Sequence, residues 1–494
     1  MPRPILIWVL AAIASLSLAA RAQSVSAYQT TPDLLEALDQ LQTLHFAVET
    51  TPGEAAPLIT VDDAQRFQQI DGFGASLTDS AAWLLANKLT PAQADAALKT
   101  LFSRRDGIAL GFLRQPVGSS DLAVTFYSFD DLCPQSNQAC ATPPGPADPS
   151  LAHFSLAHDQ QYILPLLKKA LELNSDLRVM LSPWSPPGWM KSSGSMLGLD
   201  PVTKQPATLR PEARAAFAQY LVKTVQAYQS AGVPIYALSV QNEPLYAPSN
   251  YSGMSMPADQ QADFLGNFLG PALAAAGLKT KLLVYDHNWD HPEYPEKVLR
   301  DPKAAAVAAG TAWHHYAGSP AVMTGFHGEF PQKDQWVTES SGGTWQKGIE
   351  GKGNILAEEA AELIAVTRNW AKSYVLWALA TDLNHGPFVG GCDTCRGLVT
   401  IDPANPAQPV KPELDYYVLG QASKFVLPGA VRIASNEPPD TQLKDVAFRN
   451  PNGTVVLYTL NAATTAQQLR IGYKGKTVAT TIPAGSVATF IWKP

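Results

Sequence analysis

The sequence predicts an α/β fold, a (β/α)8 barrel followed by a smaller C-terminal β-sandwich. Three observations carry the prediction. From Phe67 to about Asp402, apolar β-rich runs that end in polar or aromatic residues alternate with amphipathic helical stretches. Eight such runs occur, the number that closes a barrel of alternating strands and helices. Beyond Val431 the pattern changes to short alternating strands separated by Asn-Gly, Lys-Gly and Pro-Ala-Gly turns. An open doubly wound sheet is the rival arrangement, but no Gly-rich phosphate loop follows the first strand.

Residues 1–22 read as an export signal. Arg3 supplies the positive start, Ile5 to Leu18 the apolar run, and Ala20-Arg21-Ala22 a small-x-small cleavage site that leaves Gln23 first. That run is short against the roughly 20 residues of a spanning helix, so a membrane anchor is the weaker reading. The expected location is periplasmic or extracellular, without integral membrane association. Residues 23–66 are mixed, with a helix-like stretch at Asp33 to Leu44 between strand-like pieces that are expected to join the sandwich. The barrel is assigned to residues 67–425 and the sandwich to 426–494.

The eight strand ends are Ile70 to Gly74, Leu110 to Pro116, Leu177 to Trp184, Ile235 to Glu243, Lys281 to Asp286, Thr311 to Tyr316, Trp336 to Glu339 and Tyr374 to Ala380. Thr90-Pro91 opens a helix at Ala92 to Phe102, and Pro211 opens another that closes at Gly232. Further helical stretches are Asp159 to Leu173, Pro257 to Ala276 and Ile355 to Ala371.

With 494 residues, of which 46% are hydrophobic and 16% charged, the chain can bury one large core and carry a second domain. Its net charge of -7 offers no general attraction for phosphate backbones, which argues against a nucleic-acid partner. Four cysteines in an exported chain favour disulfides, most simply Cys133 with Cys140 and Cys392 with Cys395. A zinc site is the rival, but the first pair is spaced too widely for a finger and no histidine is near either pair in sequence.

In such a barrel catalytic groups belong at the C-terminal ends of the strands. The fourth run ends in Gln241-Asn242-Glu243-Pro244 and the seventh in Thr338-Glu339-Ser340, so each places one carboxylate at the mouth. Retaining hydrolysis of a β-glycoside needs two carboxyl groups about 5 Å apart, one protonated and one ionised. Mutual repulsion is expected to keep one glutamate protonated near neutral pH. A lone Glu after a strand is more simply a cap or loop residue; the pair is what points to catalysis. A metal-dependent hydrolase is disfavoured, because no His-x-His or His-Glu-x-x-His set occurs and His314 and His315 alternate faces on a strand. No cofactor is expected.

The sequence resembles glycoside hydrolase family 30, the group that includes glucosylceramidase. The resemblance runs through Ile70 to Asp79, Arg114-Gln115-Pro116, Leu181 to Lys191, Asn242-Glu243-Pro244, His314-His315-Tyr316, Thr338-Glu339-Ser340 and Gly420 to Phe425. It implies that Glu243 is the acid/base and Glu339 the nucleophile. By the same resemblance Asn242 meets the sugar 2-hydroxyl, Arg114 keeps the nucleophile ionised, and Asp121 and Trp184 hold the outer hydroxyls. Tyr316 is placed close to the nucleophile, with His314 and Trp377 counted among the substrate-binding positions. Plainer readings are a loop-capping amide for Asn242, an ion pair for Arg114 and a core wall for Trp184.

Two departures bear on specificity. His315 stands where glucosylceramidase has tryptophan, and the 385–397 loop, with the second cysteine pair, is expected to border the leaving-group side or a distal subsite. The expected activity is that of an exported glucosylceramidase-like or β-glucosidase-like retaining hydrolase of β-linked glycosides. The alternatives are an endo-acting β-1,6-glucanase, β-1,6-galactanase or xylanase and, further off, a non-catalytic carbohydrate-binding barrel.

Overall fold

The structure is a computed structural model that describes residues 23–48, 56–132, 147–346, 354–439 and 441–494. The expected export signal and the expected Cys133–Cys140 bridge lie outside the described residues. Eight strands form one sheet of parallel pairs, in chain order Gly72–Ser76, Phe112–Val117, Arg178–Pro183, Ile235–Ser239, Lys281–Asn288, Ala308–His314, Asp334–Glu339 and Ser373–Leu376. The eighth pairs with the first, Ser373 opposite Gly72, and the parallel bridges Gln335–Ala371 and Ser340–Leu376 close the ring against the seventh.

Local chemistry explains how tightly this ring is drawn. At Gly74 a Cβ atom would stand 1.6 Å from the carbonyl oxygen of Phe112, so only glycine lets the first two strands approach. Phe112, Met180, Ala237, Leu283, Ala312, Trp336 and Val375, one from each of the other strands, fill the interior. Beside them Asp71 accepts hydrogen bonds from Trp336 Nε1 at 2.7 Å and Tyr236 Oη at 2.5 Å, and pairs with Arg178. The Asp71-Gly72 motif is therefore a structural fastening of the barrel.

Among the helices, Pro91–Phe102 starts with a capping box between Thr90 and Gln93, and Arg214–Ser230 follows a 3-10 turn at Pro211–Ala213. The stretch Pro257 to Ala276 is interrupted by a π turn at Leu265–Leu269. Pro271 has no N–H to bond back one turn, which makes the wider turn the available solution there. The helix-like stretch Asp33 to Leu44 is corrected: it forms the strands Ala37–Gln40 and Leu44–His45, both antiparallel to Ser24–Thr30. Satisfying the open edge of Ser24–Thr30 outweighs the helical spacing of the leucines, and Leu34 and Leu38 take left-handed φ values to do so.

Among the described residues the second domain is an eleven-stranded sheet folded into a sandwich, with five strands from before the barrel and six after it. Its strand Val455–Asn461 is buried on both faces. Val455 and Leu457 face the sandwich core, whereas Val456, Tyr458 and Leu460 belong to the barrel's own core with Val446, Phe448 and Val487. Phe448 meets Phe73 of the first barrel strand edge-on, ring centres 6.2 Å apart. The two domains thus share one apolar layer rather than meeting through a linker. Phe448→Ala, which opens a cavity in this layer, is expected to cost about 3–5 kcal/mol. Chemical denaturation should show both domains destabilised in one transition; a loss confined to the sandwich signal would contradict the shared layer.

Candidate active site

Carboxylates and cations converge where the barrel strands end. Glu339 is the last residue of the seventh strand, and Glu243 follows the fourth with a left-handed φ of 45°. An oxygen of each lies within 4.8 Å of the other, with a His314 nitrogen equally close. That spacing suits a sugar carbon attacked by one carboxylate while the other handles the leaving oxygen. Arg114, fully buried on the second strand, donates to Glu339 Oε2, to Asn242 Oδ1 at 2.7 Å, to Ser182 Oγ at 3.1 Å and to Asp286 Oδ2 at 2.9 Å. The second oxygen of Glu339 accepts from Tyr316 Oη at 2.9 Å, so both its oxygens are oriented by fixed donors.

Asp286 is the residue that sequence reasoning missed. The fifth strand bulges between Tyr285 and His287: these pair with Ala312 and Trp313, leaving Asp286 opposite nothing. Both Tyr285 and Asp286 have positive φ, which re-aims the Asp286 side chain into the barrel. There it accepts from Arg114, Ser182, Ser239, Thr338 and His314 and is fully buried. Burial alone would raise its pKa, but the Arg114 charge and the hydrogen bond from His314 hold it well below the usual carboxylate range. The available signal was a carboxylate at a strand end; the bulge itself left no mark in the sequence. Its carbonyl also receives the Glu243 N–H at 3.0 Å, tying the two strand ends together.

His314 bridges the groups, with Nε2 3.0 Å from Asp286 Oδ1 and Nδ1 3.3 Å from Glu243 Oε1. Burial disfavours its charge, yet the Glu339 charge and the hydrogen bonds to Asp286 and Glu243 outweigh burial and lift its pKa to about 9. Glu243 responds in the opposite sense. Burial raises it, but the hydrogen bond from His314 and the charges of His287, His314 and Arg114 leave it below its ordinary value. This direction runs against the expectation that repulsion raises Glu243: the neighbouring imidazole and guanidinium favour its ionised form, while His314 is the group whose charged form the site favours. His315 turns away to bond Glu362 at 2.7 Å, the opposite face to His314, as alternation along a strand requires.

Above this cluster lies a cavity of about 430 Å³ lined by Asp121, Glu243, Tyr316, Glu339 and Trp377. Tyr246, Tyr251 and Trp345 also line it, aromatic residues for which the sequence offered no strand-end signal. Trp184 is only 3% exposed, stacked beneath Trp377 at 5.1 Å and over the Arg114 guanidinium at 4.6 Å, so it supports the wall more than it forms it. The 385–397 loop contributes Gly390, Gly391 and the disulfide-linked Cys392 and Cys395 to the lining, on the side of Asp121. Asp121 has its pKa pushed up to about 6 by burial and by the Glu339 charge. As for metals, Glu243, His314 and Glu339 form one compact set and Asp130, Asp148 and His153 another. In the first set both His314 nitrogens and both Glu339 oxygens are already engaged by protein groups.

A raised imidazole pKa has a defined consequence. The folded value near 9 lies above the ordinary unfolded value of roughly 6.5, so His314 contributes stability fully below that lower value and loses it as pH rises through 9. NMR titration of the His314 ring should give a midpoint near 9, falling in Asp286→Asn. A midpoint near the unfolded value in the unaltered protein would contradict the assignment.

Comparison with known proteins agrees with this architecture. The Glycosyl hydrolase family 30 TIM-barrel domain matches residues 70–426, and the Glycosyl hydrolase family 30 beta sandwich domain matches residues 429–490. An endo-1,6-beta-D-glucanase of Neurospora crassa is 38% identical over 390 residues, 77% of this chain and 76% of that protein. Lysosomal acid glucosylceramidase of Mus musculus is 28% identical over 459 residues, 88% of this chain and 83% of its own length. A solved endo-beta1,6-glucanase structure superposes with a TM-score of 0.82 at 31% identity, covering 95% of this chain and all of that one. With both domains matched and the carboxylate pair at the strand ends, the chain belongs to glycoside hydrolase family 30 and is a glycosidase.

Proposed function

We propose that the chain cleaves β-glucosidic bonds with retention, with Glu339 as nucleophile, Glu243 as acid/base and β-1,6-linked glucan as substrate. The observation that carries the assignment of roles is the asymmetry of the pair: Glu339 is gripped by Arg114 and Tyr316, whereas Glu243 faces His314. A carboxylate with both oxygens oriented is suited to attack the anomeric carbon. Transfer of one proton from His314 Nδ1 to Glu243 gives the acid that releases the leaving group, and Asp286 steadies the imidazole through Nε2. Once the glycosyl–Glu339 ester has formed, the Glu243 carboxylate takes a proton from water, which opens the ester. Asn242, held by Arg114, is the partner of the sugar 2-hydroxyl, and Trp377 and Asp121 receive the outer part of the ring.

The choice of β-1,6-glucan over glucosylceramide rests on the greater identity to the endo-1,6-beta-D-glucanase of Neurospora crassa than to the mouse glucosylceramidase. It replaces the glucosylceramidase-like substrate expected from the motifs. Export through residues 1–22 fits a polymeric substrate outside the cell, and the Cys392–Cys395 disulfide suits an oxidising compartment. Among the described residues no helix is long and apolar enough to cross a membrane.

Glu339→Ala should lose activity on every substrate and be rescued by azide with inversion. Glu243→Ala should still form the intermediate from an aryl glycoside, react poorly with an alkyl one, and give a β-glycosyl azide. Product NMR distinguishes the two, and identical behaviour would sink the assignment. His314→Gln leaves Glu243 as sole holder of the proton, so the alkaline limb of kcat/KM should move to lower pH; an unmoved limb contradicts the shared proton. Wild-type enzyme should release reducing sugar from β-1,6-glucan faster than from xylan or β-1,6-galactan and leave glucosylceramide largely intact. The reverse order would refute the substrate.

A further inference from the structure

We infer that the Cys392–Cys395 disulfide positions Asp121 for the sugar, by locking the cavity wall that joins Asp121 to the segment after Glu339. The inference rests on the proposed role of Asp121 at the sugar ring and goes beyond it by naming what holds that carboxylate. Asp121 is approached by this loop from three directions. The Cys392 N–H donates to its Oδ2 at 3.3 Å, the Val389 N–H donates to its main-chain oxygen at 2.9 Å, and Gly391 lies against its Cβ. A Cβ on Gly391 would stand 1.9 Å from the Asp121 Cβ, so glycine there is a condition of the contact. Oδ1 of Asp121 is buried and has no hydrogen-bond partner among the described residues, so the contacts of this loop are what orient the carboxylate.

The other end of the loop is anchored beside the catalytic pair. Gly343 bridges to Cys395, the Thr344 N–H donates to Thr394 at 3.1 Å, and the Arg396 N–H donates to Gly342 at 2.9 Å. Arg396 is fixed in turn by Asp415, its Nε 2.5 Å from Oδ2. Cys395 is thus held by its neighbours, whereas Cys392 is fixed by its amide on Asp121 and by the bond to Cys395. Both sulfur-bearing residues pack on Leu122 and the stacked Trp184 and Trp377, so the covalent link also closes the apolar floor of the same wall. Without it Cys392 and Asp393 can open away from the anchored Thr394 and Cys395, and the Cys392 amide leaves Asp121 free to rotate. Because Asp121 contacts the sugar before and during reaction, the deficit belongs to KM more than to kcat.

The test is a double-mutant cycle on an aryl β-glucoside, run beside melting temperatures of the same preparations. Cys392→Ser with Cys395→Ser should raise KM about tenfold with kcat within about threefold, and Asp121→Asn should raise it further. In the triple variant the loss should equal that of Asp121→Asn alone, since the disulfide acts through that carboxylate. Gly391→Ala, which keeps the disulfide but displaces Asp121, should reproduce the KM defect and covers the case in which the cysteine variant folds poorly. Losses that multiply in the triple variant, or a disulfide-free enzyme that melts lower but keeps its KM, would overturn the inference. Failure of the underlying reading is a separate outcome: Asp121→Asn would then retain wild-type KM, and the disulfide would have nothing to position.

Discussion

The arrangement depends on the contact between Arg114 and Asp286, a cation and an anion both withdrawn completely from solvent beneath the reacting groups. Desolvating such a pair is costly, and it is sustained only where further polar groups satisfy the remaining donors and acceptors. Here Ser182, Ser239, Thr338 and His314 serve Asp286, while Asn242, Ser182 and Glu339 serve Arg114. These partners come from the third, fourth, sixth and seventh strands, so the pair is satisfied only once that arc of the barrel is assembled around it. The geometry of the site and the assembly of these strands are therefore one constraint.

The same pair governs where protons reside. Asp286 stays ionised beside Arg114 and, with Glu339, makes His314 a better base than Glu243. A donor proton can then be kept in the cleft without requiring Glu243 to hold it at rest. Two buried cations, Arg114 and His314, face Asp286, Glu339 and Glu243, and in the cavity wall burial and the Glu339 charge push the pKa of Asp121 up to about 6. The site is balanced for the arrival of positive charge at an anomeric carbon.

Rigidity comes from farther away. The sandwich shares its inner layer with the helices behind the barrel, and Arg368 of the helix Ile355–Arg368 reaches across to Ser435 and Asp445. That helix also carries Glu359 and Glu362, which bond Tyr374 and His315 directly behind the Glu339 strand. The second domain thereby backs the strand that presents Glu339.

Much of this was legible in the sequence. Period-two and period-3.6 patterns are local, so the barrel, the sandwich and the carboxylates at the ends of the fourth and seventh strands could be read from the chain alone. Even the opposite orientations of His314 and His315 follow from strand alternation. Other features were not local. The strand pairing of Asp33 to Leu44 was decided by an open edge elsewhere, and the burial of Trp184 by its stacking on a tryptophan that follows the eighth strand. The Asp286 bulge depends on register between neighbouring strands, and the raised pKa of His314 on charges brought to it from three others. Sequence determined which residues would stand at the barrel mouth; tertiary structure decided which would be charged there, because a pKa depends on distance and burial, and neither is written in residue order.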